Sequence, residues 1–524
     1  MKQSIAPSIT RSAAAAFFIV LGTGSAGAQV INDSGISYSP PADCLVGFDF
    51  GFDMANSFGR LAIASPGVNG GFLGHVLVYD STIGALLHNL AAPVDASNPA
   101  GFGKQVVMEG TNIVVTTNDG VGIGGSNDQV FVYDAVTGEL RFELEPINPL
   151  GDLAGYGYDI TIDNGVIAVS QSEYDVFTGC VYLFDATDGS QIDVIYGGPL
   201  LPSIQYPIFG YEIEMHNGLL TVLQREFSGF SDAQQIFIFD TSTRALLHEI
   251  QPPVGNQYAD GWGTDLAMND DTLIVCAPGD DPYGTNTGSV LAYDLTTGAF
   301  RNMIMVVNTE AASSIRMNAK INEDGLVAVS SSNGEFGLAG TATVKLFESQ
   351  TGTQVGTLEP SSGMRSASFG LAMTFLNNEV YVSDIAAALS REDIVHHFNT
   401  GSTITMHPQS HVTDIEGFGP LMQVFATNAT DYRWFKDGVE INNGPLYGGA
   451  TTSVLAINAG PETEGAYTCE VTSVSTSSVM SEPGYLVYQG SSEPACRADL
   501  RKMVCSTSLM CLRSCSSLAM GVHD

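Results

Sequence analysis

The sequence predicts an all-β protein whose larger part consists of seven repeats of similar length. An aromatic or apolar residue, followed by glycine in six of the seven copies, recurs at steps of 52 to 54 positions. A second landmark, an aromatic residue followed by an acidic residue or asparagine, ends a β-rich run in each copy. A fixed period of this size is typical of supersecondary units that bury their apolar faces against their neighbours. The opening dipeptides are Phe50-Gly51, Phe102-Gly103, Tyr156-Gly157, Phe209-Gly210, Trp262-Gly263, Ile315-Arg316 and Phe369-Gly370.

Each repeat contains four predicted strands, which in the second copy cover 102–108, 112–115, 129–133 and 140–144. Seven units of four strands predict a seven-bladed β-propeller over residues 29–403, because such blades pack face to face in a closed ring. Closure usually needs one blade that takes strands from both ends of the propeller segment. The outer strand of the seventh blade could come from 30–38 or from 402–406, and the sequence leaves both open.

The acidic residue of the second landmark opens a recurring turn, for example Asp134 to Gly138 in the second copy. An Asp side chain can accept hydrogen bonds from backbone N–H groups two or three residues later, while glycine takes the positive φ that closes the hairpin. These acidic residues are therefore interpreted as turn formers and not as ligands.

The N-terminus has the pattern of a secretory signal peptide. Lys2 and Arg11 precede an apolar run over 13–21, and small residues at 25–28 follow it, so cleavage is expected after residue 28. Without Lys2 and Arg11 the formal charge of −37 becomes −39. This charge argues against nucleic acid and anionic membranes as partners. No apolar run is long enough for a transmembrane segment, and the expected location is secreted or at the cell surface.

The cysteines before the C-terminal tail are few and isolated for an exported chain. Cys44, Cys180, Cys276 and Cys469 are scattered singly, and their spacing fits no zinc site. Buried free thiols are the expectation, in preference to a disulfide.

Residues 404–488 follow a different pattern, which resembles an immunoglobulin-like domain. The resemblance implies that Trp434 is the core tryptophan and that Tyr467 is the corner tyrosine two residues before Cys469. The earlier cysteine of that family is absent, and Val424 occupies the position assigned to it. The domain is then stable without the bridge, which would contribute about 2–4 kcal/mol.

The tail, residues 489–524, changes composition abruptly from residue 496 and contains four cysteines. Reading the permitted codons from Lys502 to Cys515 one base later allows an acidic, glycine-containing loop. That loop resembles the calcium loop of dockerin-like modules. The hypothesis is a frameshifted calcium-binding or docking segment, and as written the tail is expected to be disordered.

The seven repeats resemble the FG-GAP family of propellers, known from integrin α-subunits, over residues 48–400 or so. The fifth copy carries the resemblance best, from Trp262-Gly263 to the strand that ends at Tyr293. Blades of that family often bind calcium through a D-x-D-x-D-G loop, which no copy here contains. Asp280 and Asp281 are the nearest acidic pair and are the candidate metal ligands, with calcium as the candidate ion. A solvated pair in an exposed loop is the alternative.

The FG-GAP resemblance implies extracellular binding or adhesion, so the sequence predicts a non-catalytic protein that binds an extracellular protein or glycan through its blade loops. Quinoprotein tryptophans and sialidase Asp-boxes are absent from the repeats. The alternative is an exported hydrolase or lyase that acts on polysaccharide at the channel mouth. A cluster of carboxylates with perturbed pKa values in one funnel would favour that alternative, whereas a funnel lined by backbone, Ser and Thr would favour binding.

Overall fold

The structure is a computed structural model and is β-rich throughout the part it describes. Two short 3₁₀ helices, Pro99–Gly101 and Pro461–Thr463, accompany the strands. No helix in the described part of the chain is long and apolar enough to cross a membrane. The described residues are 29–41, 49–66, 73–96, 99–117, 129–147, 155–172, 179–197, 207–226, 234–253, 261–280, 288–304, 316–332, 342–362, 365–366, 368–385, 393–413, 419–475 and 477–488.

Seven sheets follow one another along the chain, one for each predicted repeat, and they form the seven blades of a β-propeller. The strands that precede and build the first four blades are β1 (Gln29–Asn32), β2 (Ser37–Tyr38); β3 (Met54–Ser57), β4 (Arg60–Ser65), β5 (His75–Asp80), β6 (Leu86–Ala91); β7 (Val106–Glu109), β8 (Asn112–Thr116), β9 (Val130–Asp134), β10 (Leu140–Glu143); β11 (Tyr156–Asp163), β12 (Val166–Gln171), β13 (Cys180–Asp185), β14 (Gln191–Tyr196); and β15 (Pro207–His216), β16 (Leu219–Glu226), β17 (Gln234–Asp240), β18 (Leu246–Ile250). Blades 5 to 7 comprise β19 (Leu266–Met268), β20 (Thr272–Ala277), β21 (Ser289–Asp294), β22 (Phe300–Ile304); β23 (Arg316–Ile321), β24 (Leu326–Ser332), β25 (Thr343–Glu348), β26 (Gln354–Glu359); and β27 (Ser368–Leu376), β28 (Glu379–Ile385), β29 (Ile394–Asn399).

The N-terminal segment closes the ring. β2 pairs antiparallel with β29, with Tyr38 opposite Val395, and so supplies the fourth strand of blade 7. β1 pairs parallel with β26 and adds a fifth strand to blade 6. Of the two closures that the sequence leaves open, the one by 30–38 is therefore the one observed.

Apolar clusters fill every interface between successive blades. Between blades 1 and 2, for example, Val76 and Phe131 are buried together with Phe102. The last interface, between blades 7 and 1, joins Tyr381 to Phe50 across the closure. Each blade is buried on both faces, which is why the second and third strands read as nearly continuous apolar runs.

The glycine of the opening dipeptide allows neighbouring blades to approach closely. Gly103 has φ of +85°, and a Cβ built there would lie 2.9 Å from the carbonyl oxygen of His75 in the preceding blade. At Gly370 the same added atom would lie 2.6 Å from Ser330 Cβ. Both the backbone conformation and the lack of space therefore require glycine here.

The recurring acidic turns have the predicted structure. Asp134 Oδ1 accepts the backbone N–H groups of Val136 at 2.8 Å and Thr137 at 2.9 Å. Gly138 closes the turn with φ of +74° and donates to the carbonyl of Asp134 at 2.7 Å. The interpretation of these residues as turn formers is confirmed, and Asp80, Asp185, Asp240 and Asp294 accept backbone N–H groups in the same way.

Residues beyond blade 7 form three further β-sheets. β30 pairs with β33 in one of these sheets, so 402–406 takes no part in the propeller closure. Trp434, Tyr467, Cys469 and Val424 share one buried core, and Tyr467 Oη donates to the carbonyl of Thr463 at 2.6 Å. The immunoglobulin-like assignment of this part stays a prediction. Its strands are β30 (Thr403–Met406), β31 (His411–Thr413), β32 (Leu421–Gln423), β33 (Phe425–Thr427), β34 (Ala429–Lys436), β35 (Val439–Glu440), β36 (Tyr447–Gly448), β37 (Val454–Ile457), β38 (Gly465–Ser473), β39 (Ser478–Met480) and β40 (Gly484–Tyr488).

Three of the isolated cysteines lie in the described part of the chain. Cys180, Cys276 and Cys469 are buried and free, as the sequence predicts. Cys44, the signal peptide and the tail lie outside the described residues.

The close approach of the blades gives a direct test. We expect Gly103→Ala to destabilise the protein by about 2 kcal/mol more than Gly59→Ala, as measured by urea unfolding. Both glycines have positive φ, but an added Cβ at Gly59 meets nothing within 4 Å, so the matched pair isolates the contact between blades. Equal losses for the two variants would contradict the packing argument.

Candidate functional site in the central channel

The first strands of the seven blades contact one another in a closed ring, from β3 through β7, β11, β15, β19, β23 and β27 back to β3. They surround the central channel. The residue three positions after the opening aromatic or apolar residue is polar in six blades. In blade order these residues are Asp53, Gln105, Asp159, Glu212, Asp265, Asn318 and Ala372.

Three of these carboxylates link one blade to the next. Each accepts the backbone N–H of a residue on the first strand of the following blade, which satisfies a donor that the sheet leaves unpaired. Gln105 strengthens one of these links by donating from Nε2 to Asp159 Oδ1 at 2.7 Å. The pairs are Asp53 with Val106 at 2.8 Å, Asp159 with Ile213 at 2.6 Å and Asp265 with Ala319 at 2.6 Å.

Two glutamates on the first strand of blade 4 differ from these aspartates. Glu212 and Glu214 lie two positions apart on β15, and both are partly exposed. Within the described residues, no hydrogen bond to either carboxylate is found. Unlike the aspartates, these two groups are not committed to holding neighbouring blades together.

Lys320, on the first strand of blade 6, is the cation that interacts with all five channel carboxylates. Burial opposes its charge, but the carboxylates around it, Asp265 and Glu214 foremost, hold the pKa of Lys320 above its usual value. One ammonium group faces five carboxyl groups, so these carboxyl groups cannot all ionise without strong repulsion.

The carboxyl groups of the channel accordingly bind protons more tightly than usual. Burial raises the pKa of Glu214 to about 7 and that of Asp159 to about 7. Burial first, and then repulsion from Asp159, raises the pKa of Glu212 well above its ordinary value. Burial also raises the pKa values of Asp53 and Asp265. A site of this kind holds protonated and ionised carboxyl groups together near neutral pH, which is what acid–base catalysis needs.

Aromatic side chains adjoin the carboxylates. Tyr158 and Tyr211 lie one position before Asp159 and Glu212, and their ring centroids are 5.3 Å apart. The Arg225 guanidinium lies 4.3 Å from the centroid of the Tyr211 ring. β11 and β15 carry bulges at this point, and bulges re-aim side chains next to functional sites. Two aromatic rings and a guanidinium group thus lie next to the carboxyl groups that β11 and β15 carry.

One of the two candidate calcium ligands, Asp280, lies in the described part of the chain. Asp280 is fully buried, and its Oδ2 accepts the hydroxyl of Ser289. The N–H of Gly288 donates to the carbonyl of Asp280 at 2.8 Å. Asp281 lies outside the described residues, so calcium binding by the pair stays a prediction.

One group of three potential metal donors is found in the part of the chain that the structure describes. His216 Nε2 lies 3.0 Å from Asp270 Oδ1 and 3.6 Å from Glu323 Oε2. His216 is the last residue of the first strand of blade 4, and Asp270 and Glu323 follow the first strands of blades 5 and 6, so the repeat period could have found them. The two carboxylates are 69% and 72% exposed, which is typical of solvated surface pairs.

The adjacent histidines of β29 face different partners, as alternation along a strand predicts. The His396 ring contacts Asp33 and Asp384, whereas the His397 ring contacts Ser34 and Glu379. They do not form one metal site.

No model of a known protein family matches the sequence, and no curated protein matches it. Solved structures of low sequence identity resemble the chain. The β-propeller domain of the Trilobed protease from Pyrococcus furiosus is 11% identical, with a TM-score of 0.39, and the match covers 69% of this chain and 95% of that chain. A structure from a study of two prolyl endopeptidases is 12% identical, with a TM-score of 0.40 and coverage of 82% and 54%. A luciferin-regenerating enzyme is 12% identical, with a TM-score of 0.32 and coverage of 55% and 87%.

All three neighbours are named as enzymes or as part of one, which stands against the prediction that the chain is not an enzyme. At such identities the likeness concerns the fold alone, and no reaction is transferred from these proteins. A catalytic site in a propeller channel would be assembled from blades far apart in sequence, so it would leave no local motif from which the sequence could predict it.

Removing the channel cation should destabilise the protein in a pH-dependent way. We expect Lys320→Met to lower the free energy of unfolding by about 2 kcal/mol at pH 8 and by less at pH 5, because the carboxyl groups are then protonated. Urea unfolding at the two pH values measures this. Lys345→Met is the control, since burial lowers the pKa of Lys345 and its charge is not favoured. A loss that is equal at both pH values would contradict the proposed charge balance.

The raised pKa of Glu214 predicts a second pH effect. An acid whose pKa is higher in the folded than in the unfolded chain binds the extra proton only when folded, so stability falls as pH rises between the two values. For Glu214 this interval runs from 4.5 to about 7. We expect the unfolding midpoint of Glu214→Gln to fall less between pH 5 and pH 8 than that of the unchanged protein. Glu249→Gln, on the outer strand of the same blade, should leave the dependence unaltered.

Proposed function

We propose that this chain is an exported hydrolase or lyase that acts on polysaccharide in the propeller channel. The observation that carries the proposal is the cluster of channel carboxyl groups with raised pKa values around Lys320. Carboxyl groups with perturbed pKa values in a propeller channel favour a catalytic role over binding alone.

The proposed acid is Glu214, whose pKa of about 7 keeps much of it protonated at neutral pH. It would donate its proton to the glycosidic oxygen as the bond to the leaving sugar breaks. Asp265 is the proposed ionised partner, since it accepts the N–H of Ala319 and makes the largest charge interaction with Lys320. An ionised carboxylate in this position stabilises positive charge on the sugar ring or activates a water molecule.

The aromatic residues favour a carbohydrate as the substrate. Sugar rings present C–H faces that pack on aromatic rings, and Tyr158, Tyr211 and Phe52 are partly exposed beside the channel carboxyl groups. Lys104 lies 4.4 Å from the Phe52 ring centroid and, with Arg225, could bind the carboxylates of an acidic sugar. For such a substrate, proton abstraction next to the sugar carboxylate would give the lyase reaction.

The proposed location follows from the N-terminal segment. We retain the prediction of a signal peptide over 1–28, since polysaccharide substrates of this kind are met outside the cell. We also retain the resemblance of the blades to FG-GAP repeats. Residues 404–488 are proposed to act as an immunoglobulin-like spacer or second contact for the substrate.

The test is an assay of a panel of neutral and acidic polysaccharides, read as new reducing ends and as the ultraviolet absorbance of unsaturated products. We expect one class to be cleaved, and we expect Glu214→Gln to lower kcat by about 10²-fold or more. The rate should fall as pH rises above 7, as the proton of Glu214 is lost.

Glu249→Gln is the matched control and should retain activity, because Glu249 lies on the outer strand β18 and accepts a hydrogen bond from Gln235. If Glu214→Gln were as active as Glu249→Gln, the assignment of Glu214 would be wrong. If no polysaccharide of the panel were cleaved, the proposed function would fail.

A further inference from the structure

We propose a second catalytic site, a Ser34–His397–Glu379 triad that hydrolyses esters, where the N-terminal segment closes the propeller. Ser34 lies between β1 and β2, His397 lies on β29, and Glu379 begins β28. The proposal does not depend on the channel site, because the two sites share no residue.

The distance between Ser34 and His397 matches that between a nucleophile and its base. Ser34 Oγ lies 2.9 Å from His397 Nδ1, and His397 Nε2 lies 3.4 Å from Glu379 Oε1. If the proton of the neutral ring is on Nε2, facing the carboxylate, Nδ1 is free to accept the hydroxyl proton of Ser34. Ser34 is exposed and His397 is buried, so the nucleophile faces solvent while its base is shielded.

The base is held in place from two sides. The ring of Tyr381 stacks on His397 with centroids 4.9 Å apart and an interplanar angle of 19°. Tyr381 Oη also donates to Glu379 Oε2 at 3.1 Å. The His397 ring, whose Nε2 lies 3.4 Å from Glu379 Oε1 without a hydrogen bond of regular geometry, lowers the pKa of Glu379 despite burial. This carboxylate is therefore ionised and can stabilise an imidazolium.

The neighbouring histidine, His396, makes contacts of a different kind where the N-terminal segment meets β29. His396 Nδ1 lies 3.2 Å from Asp33 Oδ2, and its Nε2 lies 3.6 Å from Asp384 Oδ2. This ring lies between two carboxylates and already ties the N-terminal segment to β29. His397 instead has a hydroxyl on one side and a carboxylate on the other, which are the partners of a general base.

The reaction balances without a cofactor. Ser34 Oγ bonds to the carbonyl carbon of an ester as its proton passes to His397 Nδ1, and the same proton then leaves with the alcohol as the carbon–oxygen bond breaks. Water attacks the acyl-serine, gives one proton to His397 and releases the acid, and Ser34 regains the proton.

The first test uses the unchanged full chain and a fluorophosphonate probe, followed by peptide mass spectrometry. We expect a covalent adduct on Ser34, and competition by p-nitrophenyl acetate should reduce it. Absence of an adduct on Ser34 would overturn the proposal, and this measurement requires no variant to fold.

The second test is hydrolysis of p-nitrophenyl acetate. We expect Ser34→Ala and His397→Gln to lower kcat/KM by about 10²-fold or more, and Glu379→Gln to lower it and to shift the pH profile. Ser37→Ala, an exposed serine in the adjoining strand β2, should retain full activity. Hydrolysis that survives in Ser34→Ala would overturn the proposal, whereas Glu214→Gln should leave ester hydrolysis unchanged and so separates this site from the channel site.

Discussion

The close contact between successive blades is the constraint on which the rest of the structure depends. The glycine after each opening aromatic has positive φ and leaves no room for a Cβ against the preceding blade, as at Gly103 and Gly370. This approach brings the apolar faces together in seven continuous clusters, so that each blade is stable only within the ring. The sixth blade has Arg316 at the equivalent position and still packs through its cluster with blade 5.

The same approach places the first strands so close together that polar groups at their inner edge must be satisfied between blades. Asp53, Asp159 and Asp265 do this by accepting backbone N–H groups of the next blade. Burial raises the pKa values of these carboxyl groups, and repulsion from neighbouring carboxylates adds to the effect at Glu212, Glu214 and Asp53. The acid–base character of the channel is thus a consequence of the packing of the ring.

Closure of the ring creates the region in which we propose the second site. The N-terminal segment reaches blade 7 through β2, and on the way it brings Asp33 and Ser34 against two histidines of β29. A strand that only completed a sheet would need backbone pairing and a buried anchor such as Tyr38. The side chains of Asp33 and Ser34 add a carboxylate–imidazole and a hydroxyl–imidazole contact that sheet pairing does not require.

Sequence periodicity alone determined the number of blades, the four strands of each and the turns at residues such as Asp134, because these depend on local hydrogen bonding and on alternation along strands. It also determined that the cysteines inside blades are buried. The tertiary structure alone decided which segment closes blade 7, since 30–38 and 402–406 have equally suitable β patterns. It alone brought Lys320 to Glu214, and Ser34 to His397, across separations of more than a hundred residues. The prediction of a non-enzyme was wrong for the same physical reason: local patterns report the strands, whereas charge crowding and catalytic geometry arise only when the ring is closed.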